Sequence, residues 1–226
     1  KKGTNFAERD NGVWNVVESG TVAGLIASYP NNYMDINTEY DAQMNWTYQI
    51  GFTEGGKRIE TVSFSDGLGR ERQSLVPNPE NNQVVVSNFY YDELGRLAVN
   101  SLPTPVSNDY LRHFKDFNRA NLTDPDEGLY PSYKSKYFNV LATGCPPTSI
   151  GFAPTNGAGR YYSTSNTNQD GSNKMIPDAE TFPFSRITYL NDFTGRVNRV
   201  SAAGTDMKMG SGKETKFVYE SPLQEE

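Results

Sequence analysis

The residues most able to do chemistry in this chain are one histidine and one cysteine. The 226 residues contain a single His, His113, and a single Cys, Cys145. A cysteine nucleophile needs a nearby base to form its thiolate, and His113 is the only histidine that could supply one. The alternatives are a structural histidine and a lone buried or surface thiol. We favour these because no second His or Cys accompanies either residue. The sequence therefore predicts no catalytic residue and a protein that is not an enzyme.

Oxygen-bearing side chains between residues 121 and 128 form a candidate metal site. The segment reads Asn-Leu-Thr-Asp-Pro-Asp-Glu-Gly, and carboxylate oxygens are ligands that Ca²⁺ prefers. Its spacing differs from the D-x-D-x-D-G pattern of a calcium loop. Solvated carboxylates are the simpler interpretation, so we predict neither a metal nor a cofactor.

Charge and hydropathy exclude two classes of partner. The net charge is −6, and Lys and Arg form no stripe that could follow a phosphate backbone. No segment approaches the ~20 apolar residues of a membrane helix, and the start does not resemble a signal peptide. We therefore expect no nucleic acid and no membrane insertion, and any export signal should lie outside this chain. A single cysteine also excludes an internal disulfide framework.

Three copies of the phrase Asp-x-x-Gly-Arg are the strongest structural signal in the chain. In such a phrase Asp accepts a backbone hydrogen bond two residues on, and Gly supplies a positive φ. We interpret each copy as a hairpin turn whose Arg reaches toward its own Asp or a neighbouring carboxylate. One copy would fit any surface turn, but three favour a repeat. The structural residues predicted from the repeat are Asp66, Gly69, Arg70, Tyr91, Asp92, Gly95, Arg96, Asp192, Gly195 and Arg196.

Strand-like stretches flank these turns, and helical periodicity is nearly absent. Trp46, Tyr48, Ile50 and Phe52 alternate with smaller or polar residues, which predicts a strand with its large side chains on one face. The overall pattern is an all-β meander of stacked hairpins. The predicted strands cover residues 46–52, 58–65, 71–76, 83–91, 97–101, 186–190, 197–201 and 216–219.

The second and third copies are much farther apart than the first and second, which indicates an insertion. Residues 102–184 are rich in Pro, Asn, Ser and Gly but also carry many aromatic residues. We expect this irregular, aromatic-rich insertion to drape over the sheet, with at most a short helix around residues 109–119. Residues 1–38 are a candidate cap or plug, residues 39–101 hold the first repeats, and residues 185–226 hold further strands that we expect to continue beyond the chain end.

Residues 91–97, Tyr-Asp-Glu-Leu-Gly-Arg-Leu, resemble the consensus of the Rhs family, also called YD repeats. The other two copies resemble degenerate versions of it. The third copy departs at Thr194 and Asn191, which leaves its hairpin register open. Residues 45–48, 65–70, 176–180, 183–186 and 210–216 are similar to a subgroup found in large exported proteins of Bacteroidota. The resemblance covers roughly residues 39–226.

The resemblance implies an Rhs-type shell, in which hairpins form a β-ribbon around a hollow interior. The expected function is a non-catalytic structural segment of a secreted or cell-surface protein that encloses or shields a C-terminal cargo such as a toxin. The expected partners are the rest of the same polypeptide, a secretion apparatus or a cell-surface ligand. One alternative is an adhesive or glycan-binding module, which would expose Trp14, Trp46 or clustered Tyr in a groove. A hydrolase is a weaker alternative, since it would need clustered His, Cys or carboxylates in a pocket.

Overall fold

An antiparallel sheet, formed by the alternating stretches, is the main element of the fold. The computed structural model describes residues 6–10, 13–17, 44–54, 58–78, 81–107, 111–138, 149–167 and 171–220. Its strands are β1 Phe6–Asp10, β2 Val13–Val17, β3 Asn45–Phe52, β4 Arg58–Ser65, β5 Glu71–Asn78, β6 Gln83–Tyr91, β7 Leu97–Ser101, β8 Thr104–Val106, β9 Thr123–Asp124, β10 Gly128–Leu129, β11 Phe184–Tyr189, β12 Val197–Ser201 and β13 Thr215–Lys216. A short helix, α1, spans Gly157–Tyr161, and 3-10 turns span Ser135–Tyr137 and Gly171–Met175.

Nine of the described strands form one open sheet, which confirms the predicted all-β meander. Its order is β13-β12-β11-β7-β6-β5-β4-β3, and β8 pairs with β6 beside the end of β7. Adjacent strands are antiparallel. Along this order each strand neighbours the next one in the chain, except that β7 lies beside β11. The long insertion therefore leaves the sheet and returns at neighbouring positions, where Leu102 N–H donates to the Pro183 carbonyl at 2.9 Å.

The insertion covers one face of this sheet with aromatic side chains, as the composition predicted. Tyr133, Phe138 and Phe152 pack against Val99 and Phe184 of the sheet in one buried cluster. The Tyr133 and Phe152 rings meet edge to face with centroids 4.6 Å apart, a geometry that aromatic quadrupoles favour. A second cluster lies farther along the same face, where residues 111–117 cover β4, β5 and β6. The insertion thus supplies the core that a single sheet cannot form alone.

The opposite face of the sheet carries small hydroxyl side chains in register. Thr47 pairs with Ser63, Ser63 pairs with Ser74, and Ser74 pairs with Ser87 across four strands. These positions alternate with the buried residues of the same strands, because successive side chains point to opposite faces. The sheet is therefore apolar on the side of the insertion, and its other face carries this row of hydroxyl groups.

The insertion was expected to hold at most a short helix around residues 109–119, and in the described part of that range it forms none. Residues 111–119 contain no helix, because the backbone of Phe114 bonds to the sheet instead of to its own chain. The Gln73 side chain accepts from Phe114 N–H at 2.8 Å and donates to Phe114 carbonyl at 3.1 Å. Asp116 also has a φ of 54°, which a right-handed helix does not allow.

Candidate functional site

The three Asp-x-x-Gly-Arg turns lie side by side along one end of the sheet, where its strands reverse direction. They connect β4 to β5, β6 to β7 and β11 to β12. Because strand directions alternate through the sheet order, all three turns are at the same ends of their hairpins. We call residues 66–70, 92–96 and 192–196 the motif edge. Its residues come together even though the insertion separates the second turn from the third.

The first two turns share one hydrogen-bond pattern. Asp66 N–H donates to the Arg70 carbonyl at 3.0 Å, and Gly69 N–H donates to the Asp66 carbonyl at 2.9 Å. One carboxylate oxygen of Asp66 accepts from the backbone N–H groups of Leu68 and Arg70, and the other accepts from the Arg70 guanidinium at 2.9 Å. Asp92 makes the equivalent bonds in the second turn, with Arg96 Nε at 2.7 Å. Each Arg thus reaches the Asp of its own copy.

The third turn is wider and uses a different closing bond. Residues 92–96 lie between the paired Tyr91 and Leu97, whereas residues 190–196 lie between the paired Tyr189 and Val197. The closing bond runs from Leu190 N–H to the Arg196 carbonyl at 2.9 Å. The departure at Asn191 therefore lengthens the turn and leaves Tyr189 in the position of Tyr91.

Thr194 takes part in the third turn through its hydroxyl group. This hydroxyl donates to Asp192 Oδ1 at 2.6 Å and accepts from Arg196 Nε at 3.0 Å. Arg196 Nη2 also donates to Asp192 Oδ2 at 2.7 Å. Thr194 stands where the first two copies have Leu68 and Leu94. Its hydroxyl bonds to both Asp192 and Arg196 and so helps to hold this ion pair together in a longer loop.

All three motif glycines have a positive φ, as their turns require. The values are 75° for Gly69, 76° for Gly95 and 73° for Gly195. Gly95 has a second reason to lack a side chain, because a Cβ there would lie 2.9 Å from Nη1 of Arg70. The guanidinium of the first copy therefore contacts the turn of the second.

A series of arginine–tyrosine contacts joins each motif copy to the next strand pair. The Cζ atom of Arg70 lies 5.1 Å from the Tyr91 ring centroid. Arg96 lies 4.3 Å from the Tyr189 ring, and Arg196 lies 4.8 Å from the Tyr219 ring. These are cation–π distances. We call the three contacts the arginine–tyrosine ladder.

Hydrogen bonds show that Tyr189 and Tyr219 occupy equivalent places in the ladder. Tyr189 Oη donates to the carbonyl of Leu97 at 2.8 Å, and Tyr219 Oη donates to the carbonyl of Val197 at 3.0 Å. Leu97 and Val197 each follow the motif Arg of the preceding copy. One arrangement thus recurs: Asp holds Arg within a hairpin, and Arg covers the Tyr of the next one.

Hydrogen bonds keep the carboxylates of Asp66 and Asp192 ionised. Partial burial of Asp66 opposes ionisation, but hydrogen bonds from Arg70, the backbone N–H groups and Arg72 outweigh it and lower its pKa to about 2. For Asp192, hydrogen bonds from Thr194 and then Arg196 lower the pKa to about 2. Both carboxylates are therefore charged across the physiological range and can hold their arginines.

A cleft of about 580 Å³ lies between the motif edge and the insertion. Its floor includes Tyr90, and burial raises the pKa of this phenol. A hydrogen bond from the Asn118 amide and the Arg72 charge oppose the rise, whereas the Asp116 charge adds to it. Arg72 and Asp116 therefore both act on this phenol. The lining residues are Met44, Arg70, Arg72, Asn88, Phe89, Tyr90, Tyr91, Asp92, Glu93, His113, Phe114, Asp116, Phe117, Asn118, Ser132, Tyr133, Lys134 and Ser135.

The disfavoured alternative of a Cys145–His113 nucleophile–base pair stays untested. His113 lines the cleft and packs on Phe64 with ring centroids 5.4 Å apart. Burial lowers the pKa of His113, although Asp116 opposes the shift. Cys145 lies outside the described residues. A half-buried histidine that packs on an aromatic ring agrees with the simpler interpretation of His113.

Lysine side chains bind the carboxylates of the candidate calcium segment. Lys136 Nζ donates to Asp124 Oδ2 at 2.7 Å and to Glu127 Oε1 at 2.9 Å. Lys136 thus stands where a cation would bind, and its bond to Asp124 is the largest cause that lowers the pKa of that carboxyl. Within the described part of the chain, no group of three or more His, Cys, Asp or Glu could hold a metal ion.

Sequence reasoning missed Arg72, Tyr219 and Gln73. Arg72 Nε donates to Asp66 at 2.9 Å, and its Cζ lies 5.2 Å from the Tyr91 ring. No motif marks Arg72 or Tyr219, because their partners lie on other strands. Gln73 did carry a signal, since it shares the buried face of β5 with Leu75 and a polar residue there needs a partner.

Comparison with known proteins gives one family match. Residues 37–141 match the family model described as a domain of unknown function (DUF6443), a stretch shorter than half of the 226 residues. Every residue that lines the cleft falls inside this stretch. No curated protein and no solved structure matches the chain. Among the described residues, no helix is long and apolar enough to span a membrane.

Proposed function

We propose that this chain is a non-catalytic structural segment of an Rhs-type shell in a large exported protein of the kind found in Bacteroidota. In this role it encloses or shields a C-terminal cargo such as a toxin. The observation that supports the proposal is the arginine–tyrosine ladder, in which Arg96 covers Tyr189 and Arg196 covers Tyr219. A contact that passes from each hairpin to the next suits a ribbon that grows by adding hairpins.

The way in which neighbouring hairpins are held together also supports a ribbon. A two-stranded hairpin buries too little apolar surface to be stable alone, so neighbours must stack. Here the stacking is fixed by backbone pairing along the sheet and by the ladder at the motif edge. The partners in this proposal are further repeats and the enclosed cargo of the same polypeptide, and its location is secreted or on the cell surface.

The test is made on the natural polypeptide that contains this chain. Electron cryo-microscopy should reveal hairpins that continue the sheet around a hollow interior, and limited proteolysis should leave the cargo intact. The double variant Arg96→Ala with Tyr189→Ala should make the cargo sensitive to protease. Arg112→Ala is the matched control, because Arg112 is exposed and lies outside the ladder. An isolated domain beside an exposed cargo would refute the proposal.

A second function, glycan binding, is favoured by one observation. The cleft holds the clustered tyrosines expected of such a module, namely Tyr90, Tyr91 and Tyr133. Trp46 is half-buried beside the core, and the side chain of Trp14 lies outside the described part of the chain. The hydrolase alternative stays a prediction.

A further inference from the structure

The charges that line the cleft balance one another. Arg70, Arg72 and Lys134 supply the positive charges, and Asp92, Glu93 and Asp116 supply the negative charges. Burial lowers the pKa of His113, so it adds no charge near neutral pH. A phosphate or a highly acidic ligand would meet as many repulsive groups as attractive ones. The lining therefore favours a ligand without net charge.

Arg72 and Asp116 each keep hydrogen-bonding capacity for a ligand. Among the described residues, Arg72 bonds only through Nε, so its two terminal nitrogens are available as donors. One oxygen of Asp116 accepts from the Ser132 hydroxyl, and the other has no partner within the described residues. A donor pair and an acceptor that line one cleft and both act on Tyr90 suit a molecule whose groups both donate and accept.

Aromatic rings supply the apolar part of the same cleft. Phe114 and Phe117 lie on the insertion side with centroids 5.9 Å apart, and both are half-buried. Tyr90 forms part of the floor. Ligand sites of a few hundred Å³ combine such rings with a few polar groups that fix orientation. The C–H faces of a sugar ring pack on aromatic rings, and its hydroxyls bond to carboxylates and guanidinium groups.

We propose that the cleft between the motif edge and the insertion binds an uncharged saccharide unit. Arg72 donates to its oxygens, Asp116 accepts from its hydroxyls, and Phe114, Phe117 and Tyr90 contact its carbon skeleton. The proposal rests on the glycan-binding function and not on the shell, because both walls of the cleft belong to this chain. An acidic peptide is disfavoured by Asp116 and Glu93, whose carboxylates would repel it.

The test uses the purified 226-residue chain. Its binding is screened on an array of neutral, uronate-bearing and sulfated oligosaccharides, with hexaglutamate as the peptide probe. Affinity for the best neutral oligosaccharide is then measured by calorimetry. Asp116→Asn should weaken binding about tenfold or more, because it removes the charged acceptor. Asn tolerates the positive φ of this position, so the melting temperature should stay unchanged.

Two further variants complete the experiment. Asp126→Asn is the matched control, because Asp126 is an exposed Asp outside the cleft, and its affinity should equal that of the wild type. Arg72→Lys keeps the charge but loses the fork of donors, so it should also weaken binding. The proposal is overturned if no neutral oligosaccharide binds, if only acidic oligosaccharides or hexaglutamate bind, or if Asp116→Asn binds like Asp126→Asn.

Discussion

Asp66, Asp92 and Asp192 each hold an arginine, yet their surroundings differ. The side chain of Asp92 is 7% exposed beside Arg96, and that of Asp192 is 35% exposed beside Arg196. Exposed ion pairs contribute only ~0–1 kcal/mol because water screens them. The pair in the third turn therefore stabilises least, and turn geometry and backbone bonds must specify that hairpin.

Substitution of Gly95 should cost more than loss of its neighbouring arginine. Gly95→Val forces a β-branched residue into positive φ, which costs about 1–3 kcal/mol, and it also displaces Arg70. Arg96→Ala should cost about 1 kcal/mol, from a partly exposed ion pair and a cation–π contact. Thermal denaturation of the two variants measures the difference. Equal losses would contradict this role for Gly95.

A pair of alanine variants separates backbone strain from the contact with Arg70. Gly69→Ala and Gly95→Ala both place a Cβ at positive φ, at a cost of about 1–2 kcal/mol. Only the Cβ at Gly95 meets Arg70, since a Cβ at Gly69 would have nothing within 4 Å. We expect the larger loss of unfolding free energy for Gly95→Ala, measured by urea denaturation. The opposite order would show that Arg70 moves away at no cost.

Acid should weaken the first hairpin through Asp66. Its pKa in the folded protein is about 2, below the usual 3.8. A depressed folded pKa stabilises the protein above the unfolded value, and that stabilisation is lost as pH falls through the folded value. The melting temperature should therefore fall between these two pH values, and by less in Asp66→Asn. Asp126→Asn is the control and should keep the slope of the wild type.

At the scale of elements, Gln73 is the main polar link between the sheet and the first part of the insertion. It is fully buried and holds both backbone groups of Phe114, which lies 41 residues farther along the chain. Within the insertion Asn118 plays a comparable part, since its side chain accepts from Ala158 N–H at 2.9 Å. Such side chains replace the regular hydrogen bonds that an irregular segment lacks.

Loss of Gln73 should release this part of the insertion. In Gln73→Leu the Phe114 amide and carbonyl lose their partner, at about 1–3 kcal/mol for each buried group left unpaired. Compared with the wild type, amide hydrogen exchange should become faster at Phe114, and the increase should be smaller in strand β5. Gln49→Leu, on the exposed face of β3, is the matched control. Unchanged exchange at Phe114 would mean that side-chain packing alone holds residues 111–117.

At the scale of the whole molecule, the insertion and the sheet form one core. Val99 and Phe184 of the sheet are buried under aromatic residues of the insertion. A sheet must cover one apolar face to be stable. The insertion is therefore a part of the fold and does more than connect two groups of hairpins.

Removal of the insertion, which includes β8, should abolish cooperative folding even though the other eight strands of the sheet could still pair. Residues 103–182 can be replaced by Asn-Gly, because Leu102 and Pro183 are already joined by a backbone hydrogen bond and Asn-Gly favours a tight hairpin turn. The shortened chain exposes the apolar face, so calorimetry should show no sharp transition. A transition like that of the full chain would mean that the sheet is stable without its cover.

The sequence alone determined the features that depend on neighbours along the chain. The predicted bounds 58–65, 83–91, 97–101 and 197–201 agree with β4, β6, β7 and β12. Alternation of side chains and the turn chemistry of Asp and Gly act over a few residues, so these strands could be read from local pattern. For the same reason the positive φ of Gly69, Gly95 and Gly195 was predictable.

Only the tertiary structure decided which distant groups meet. The partner of Arg96 is Tyr189 because β7 lies beside β11, and no local pattern encodes that neighbour across the insertion. The backbone of Phe114 bonds to Gln73 instead of forming a helix, since a buried side chain offered both a donor and an acceptor. The cleft likewise exists only where the insertion returns to the motif edge, because long-range packing, and not the order of residues, brings Asp116 and Arg72 into one cleft.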